Sequence, residues 1–203
     1  RFGIGSGIPG SGWKIEGTSI PPSAFDSTYA VLKLLARDNQ IYLGVRVRDN
    51  SVGGSSEFNR LDGLLMAVKD HLSAGIPKPP AEYFYGWWYP YLTDPQPVGQ
   101  LPRFIGKFGE VVEGEPRTPE AIAAWDAVTV VHGTSNTDAV PDQGYTIEMR
   151  FDCAAVGYDI TQPQGDTFEW NVSVYDCDGW WPYNVAKFSS TRTWLQGPWG
   201  NAP

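Results

Sequence analysis

YAVLKLLARDNQIYLGVRVR, residues 29–48, is the stretch whose reading decides the fold class. Two apolar runs are interrupted by Arg37-Asp38-Asn39-Gln40, and Asp38-Asn39 suits a two-residue hairpin connection because short Asp and Asn side chains tolerate tight turn backbone. After the turn, Tyr42, Gly44, Arg46 and Arg48 alternate with Leu43, Val45 and Val47, the two-residue period of a strand that buries one face. The stretch is an antiparallel hairpin with one side in a core.

The rest of the chain agrees with a β-rich class. Gly 23 and Pro 17 among 203 residues favour many short strands joined by turns over long helices. Hydrophobic residues at 41% and charged residues at 19% are enough for a core, and the length fits one all-β domain. Asp62-Gly63 opens an apolar run through Val68, Trp125–His132 and Tyr145–Phe151 read as strands around a turn-rich Gly133–Gly144, and Thr167–Tyr175 alternates as another strand. A last strand is expected over Lys187–Leu195. Thr118-Pro119-Glu120 opens a short helix to about Trp125, with Thr118 as cap and Pro119 in the first turn.

Two segments fall outside this pattern. Residues 1–14 read as an N-terminal arm preceding a single domain over 15–203. Its Gly5-Ser6-Gly7-Ile8-Pro9-Gly10 spells a dinucleotide-loop motif, but no strand precedes it and no helix follows to hold a pyrophosphate. Residues 71–118, with Ile76-Pro77-Lys78-Pro79-Pro80 leading into Tyr83-Phe84-Tyr85-Gly86-Trp87-Trp88-Tyr89-Pro90-Tyr91, read as one long irregular insertion of the kind that carries function.

Charge and composition bound the partners. A net charge of −8 without a Lys/Arg cluster opposes nucleic acid and anionic lipid. No apolar stretch approaches the roughly 18–20 residues that span a bilayer. A chain that starts at Arg1 without an apolar leader is expected to be a processed, extracytoplasmic form, periplasmic or secreted. In that compartment the two cysteines, Cys153 and Cys177, are expected to form a disulfide; the alternative is two free thiols.

Ile15-Glu16-Gly17, Ile41–Asp49, the strand opened by Asp62-Gly63, Tyr145–Phe151, Asn171–Asp178 and Arg192–Trp199, taken in that order, resemble the family 9 carbohydrate-binding modules and their wider DOMON-like relatives. The resemblance covers roughly half the chain, and the 71–118 insertion has no counterpart in it. It implies an immunoglobulin-like, jelly-roll-like antiparallel β-sandwich, a terminal sugar clamped between Trp rings, and, in some relatives, structural calcium or haem.

The residues that could carry function form two aromatic clusters, Trp87, Trp88, Tyr89 and Tyr91 in the insertion and Trp180 and Trp181 after the Asn171 strand. Pyranose rings present apolar C–H faces to indole and phenol rings while their hydroxyls bond nearby polar groups, here Asp178 and Asn184. The same rings could instead pin loops or fill a protein interface, where Trp and Tyr are enriched. Asp49, Asp62 and Asp176, with Asn50 next to the first, are candidate calcium ligands, or simply turn and cap acceptors. With only His71 and His132 and no G-x-S-x-G serine, no catalytic machinery is visible. The leading expectation is thus a non-catalytic saccharide-binding module without a cofactor other than calcium. The alternative is an accessory subunit docking on a larger extracytoplasmic or membrane-associated protein complex. A third reading, a b-type haem electron-transfer subunit, would use Met66 with His71 or Lys187 as axial ligands.

Overall fold

The structure is a computed structural model that describes residues 13–16, 29–54, 62–68, 82–87, 97–100, 103–108, 119–167, 170–178 and 189–195. The elements are β1 (Trp13–Glu16), β2 (Tyr29–Arg37), β3 (Gln40–Arg48), β4 (Gly63–Val68), β5 (Glu82–Trp87), β6 (Arg103–Phe108), α1 (Pro119–Ala124), β7 (Trp125–Val131), β8 (Tyr145–Asp152), a 3₁₀ turn (Cys153–Val156), β9 (Trp170–Asp178) and β10 (Ser189–Leu195). They form a six-stranded sheet ordered β1-β10-β9-β4-β5-β6 and a four-stranded sheet ordered β2-β3-β8-β7. Every neighbouring pair is antiparallel.

The hairpin stands where the sequence puts it. Tyr29 pairs with Arg48 and Arg37 with Gln40, and β3 alternates buried and exposed along its length. Asp38 takes a left-handed φ of 54° at the turn, a conformation its short side chain tolerates. Val45, Val47, Ile147 and Tyr145 from the four-stranded sheet meet Leu64 and Val174 from the six-stranded sheet in one buried cluster. Two sheets packed face to face around that cluster make an all-β sandwich. Trp125 closes one side of the core, fully buried and stacked on Phe151 with ring centroids 5.5 Å apart.

Three differences from the sequence reading have local causes. Segment 71–118 is not irregular throughout: Glu82–Trp87 and Arg103–Phe108 are strands that widen one sheet to six. Their signal was the density of Tyr, Phe and Trp, which favour strands, masked by the flanking prolines. Strand β9 runs on through Asp178, past the expected end at Tyr175, so Asp176 and Asp178 are paired strand residues, opposite Thr191 and Ser189. Trp13 and Lys14, assigned to the arm, belong to β1, opposite Leu195 and Trp194.

The expected disulfide is overturned: Cys153 is a buried free thiol. Tyr145 at the start of β8 reaches the Gly63 carbonyl at 3.5 Å, and Gly63 pairs with Tyr175, two residues before Cys177. Cys153 follows the opposite end of β8, roughly 25 Å further along at the usual rise per residue. A disulfide needs Cα atoms within about 7 Å, so the sandwich separates the two cysteines end from end.

Candidate functional site

The end of the sandwich where β4 begins is built by carboxylate and amide side chains that hold loop backbone. Asp62 is fully buried and accepts the Gly53 N–H at 2.7 Å, while its own N–H donates to the Gly53 carbonyl at 2.9 Å. Asp142 bridges two loops, taking Val52 N–H on Oδ2 at 2.9 Å and Thr134 N–H on Oδ1 at 2.7 Å. Asn136 accepts from Gly54 N–H at 2.9 Å and donates from Nδ2 to the Pro97 carbonyl at 2.8 Å. Ser135 Oγ donates to the Gln100 carbonyl at 2.6 Å, and Gly99 N–H returns a bond to Ser135 O at 2.8 Å. Buried carboxylate and amide oxygens that accept backbone N–H groups satisfy donors that would otherwise be costly to bury, so these loops are rigid rather than loosely draped.

Sequence reasoning missed this lock. The run Thr134–Asp142 is dense in Ser, Asn and Asp, the composition of a turn, and nothing local says that its side chains reach residues 52–54 and 97–100. One consequence is electrostatic. Burial raises the Asp138 carboxyl above the ordinary Asp range; the Ser51 hydroxyl, donating at 2.7 Å, opposes that rise and the neighbouring Asp142 charge adds to it.

The register of the six-stranded sheet decides where the aromatic clusters attach. Trp87, the last residue of β5, pairs with Gly63, the first of β4, and Gly63 pairs with Tyr175 in β9. Strands β5 and β9 therefore end on the same side with only β4 between them, about 9–10 Å apart by two strand spacings. The sequence continues from Trp87 into Trp88, Tyr89 and Tyr91, and from Asp178 into Gly179, Trp180, Trp181 and Asn184. Trp88, Tyr89, Tyr91, Trp180, Trp181 and Asn184 lie outside the described residues; Trp87 and Asp178 are placed by strand position. On the far side of the aromatic segment, Pro97 is fixed through its carbonyl by Asn136, so the segment is anchored before and after.

Two of the candidate calcium ligands hold backbone N–H groups. Asp49 Oδ1 accepts the Ser51 N–H at 2.8 Å, a turn-capping contact, and Asp62 holds Gly53 as described. Asp176 is placed by its pairing with Thr191. Among the described residues no group of three or more His, Cys, Asp or Glu side chains comes together as a cation cage, and calcium asks for six to eight oxygens. Asp49 and Asp62 fit the turn-acceptor role. Of the haem candidates, Met66 sits mid-strand in β4 opposite Phe84 and Val172, while His71 and Lys187 lie outside the described residues. His132 Nε2 lies 2.8 Å from Thr146 Oγ1 at the strand edge. No helix among the described residues is long and apolar enough to cross a membrane.

Comparison with known proteins adds the fold. A family 9 carbohydrate-binding module from Caldicellulosiruptor kristjanssonii, solved in complex with cellotriose, superposes with a TM-score of 0.54 at 14% identity, covering 94% of this chain and 75% of that one. A family 9 module from the same organism in complex with glucose gives a TM-score of 0.47 at 15% identity over 89% and 73% of the two chains. No protein-family model and no curated protein matches the sequence. The chain thus has a fold like that of family 9 carbohydrate-binding modules, an all-β sandwich, at a sequence distance where likeness speaks for the fold alone.

Proposed function

We propose that this chain is a non-catalytic carbohydrate-binding module that grips a saccharide between the aromatic residues flanking the ends of β5 and β9. Trp87, Trp88, Tyr89 and Tyr91 supply one wall and Trp180 and Trp181 the other, with Asp178 and Asn184 bonding sugar hydroxyls. The single observation that carries the reading is the cross-strand register Trp87–Gly63–Tyr175. It brings two segments far apart in sequence to one sheet end. Two stacking contacts of about 3.5–4.0 Å on either face of a pyranose need a gap of roughly 7–8 Å between rings, which suits chains leaving the sheet on either side of a single strand. The rigid loops beneath add support, because a preformed clamp loses little freedom on binding. A module of like fold was solved in complex with cellotriose, which makes that class of ligand the first to try.

Tryptophan emission tests the reading. Titration with glucose, cellotriose and other oligosaccharides is expected to change emission saturably over the constant signal of buried Trp125. Trp87→Ala and Trp180→Ala should each weaken binding about tenfold or more, as loss of a central aromatic contact does. Unchanged affinity in both variants would overturn the clamp.

A further inference from the structure

The outer face of the four-stranded sheet carries a shallow groove of about 250 Å³ lined by Tyr42, Asp126, Val128, Glu148 and Arg150. Two cross-strand rows build it. Leu35, Tyr42, Arg150 and Asp126 stand side by side in one row, and Lys33, Gly44, Glu148 and Val128 in the next. Gly44 is the gap in the second row: a Cβ built there would meet nothing within 4 Å, so the space above the strand is open.

The side chains around that space have the chemistry of a sugar site. Tyr42 is 37% exposed, and its hydroxyl donates to Gln40 Oε1 at 2.8 Å, which fixes the ring as a platform. The Arg150 guanidinium donates to the carbonyls of Ala123 and Ile122 at 2.9 and 3.0 Å. Those bonds draw it toward α1 and keep it from folding back over Tyr42. Asp126, with Oδ1 oriented by the Ala127 N–H at 3.0 Å, and the exposed Glu148 bring carboxylates to the same rows. Each carboxylate offers about four lone-pair sites, more than a single hydrogen bond uses. Val128, 61% exposed, adds an apolar patch.

We propose that this groove is a second contact site for a neutral oligosaccharide, one ring stacking on Tyr42 with its hydroxyls donating to Asp126 and Glu148. Size and charge select this occupant. The groove is smaller than the roughly 300 Å³ at which sites for drug-sized ligands begin, so it takes a single sugar ring, and it is shallow enough to leave the rest of a glycan in solvent. Lys33 and Arg150 balance Asp126 and Glu148 across these rows, so no excess of positive charge is left to hold an anionic sugar. The proposal rests on the saccharide-binding reading but on a different sheet from the Trp87 end, so one chain could contact a polysaccharide at two places.

The test is a calorimetric titration with cellohexaose, xylohexaose and mannohexaose, with the amide signals of Tyr42, Gly44 and Glu148 followed by nuclear magnetic resonance. In a Trp87→Ala/Trp180→Ala double variant, residual binding with shifts confined to those amides is expected. Tyr42→Ala and Gly44→Ile should each remove that residual binding by tenfold or more, Gly44→Ile by filling open space without disturbing the strand. If the double variant binds none of the three sugars while the wild type does, the groove is overturned and the clamp stands. If the residual binding is indifferent to both groove substitutions, the groove is likewise overturned. Binding that survives in the double variant undiminished from wild type but is lost with Gly44→Ile upholds the groove and overturns the clamp. A wild type that binds none of the three overturns both.

Discussion

Asn39 and Ile160, 121 residues apart in the chain, are joined by a hydrogen bond of 3.0 Å from the Ile160 N–H to Asn39 Oδ1. The same side chain donates from Nδ2 to the Tyr158 carbonyl at 3.1 Å, and the Asn39 carbonyl accepts the Cys153 N–H at 3.0 Å. A residue chosen for a hairpin turn thus also clamps the loop that carries the chain from β8 toward β9. Asn39→Ala removes two part-buried hydrogen bonds and leaves their partners exposed to the cost of desolvation. Urea denaturation should show a loss of about 2–3 kcal/mol. Asn39→Asp, which keeps the acceptor and loses the donor, should fall between; a loss below about 0.5 kcal/mol for alanine would refute the clamp.

Gly144 sits directly before β8 with φ 98°, and a Cβ there would lie 2.0 Å from the Val47 carbonyl oxygen. Backbone cannot swing aside as a side chain can, so Gly144→Ala is expected to cost about 3 kcal/mol or more. Gly165, at φ 68° with open space around it, should lose only about 1–2 kcal/mol on the same change. Paired thermal melts of the two variants measure the difference, and equal losses would contradict the steric argument.

Gly44 gives the opposite sign. It lies mid-strand in β3 with room for a side chain, where glycine forfeits order without any compensating contact. Gly44→Val should stabilise the chain by about 0.5–1 kcal/mol. Denaturant midpoints check it, and a destabilised variant would mean the space is not open.

Burial, joined by the nearby Asp152 and Asp166 carboxylates, pushes the Cys153 thiol up to about 11. Native protein at pH 8 should therefore not react at Cys153 with a disulfide reagent, whereas unfolded protein should. The unfolded thiol ionises near pH 8.5, below the folded one, so its contribution to stability is intact below that pH and fades as pH rises toward 11. The stability difference between wild type and Cys153→Ala should shrink over this window. Reductant should leave the melting temperature unchanged; a fall would restore the disulfide.

How far the sequence could be read follows from the range of each interaction. The alternation from Ile41 to Val47, the Asp38-Asn39 turn and the strand Tyr145–Phe151 were legible, because a two-residue period and a tight turn are set by neighbours in the chain. The strands Glu82–Trp87 and Arg103–Phe108 were hidden, because strands in a proline-flanked segment are decided by the partners they find, here Gly63–Val68 for the first and the first for the second. The aromatic residues that could hold a ligand were legible as a composition, but their juxtaposition was not.

Residue order by itself determined an acidic, β-rich chain with a one-sided hairpin at its centre and two clusters of Trp and Tyr, since charge, periodicity and turn chemistry are local properties. Only the tertiary structure decided that Trp87 and Tyr175 flank the same glycine, that Asp142 and Asn136 reach across to lock residues 52–54, and that Cys153 and Cys177 stand at opposite ends. Strand pairing and sheet packing join residues up to 121 positions apart. Which partner each strand takes depends on the burial of the whole core at once, and no short window of sequence contains that sum.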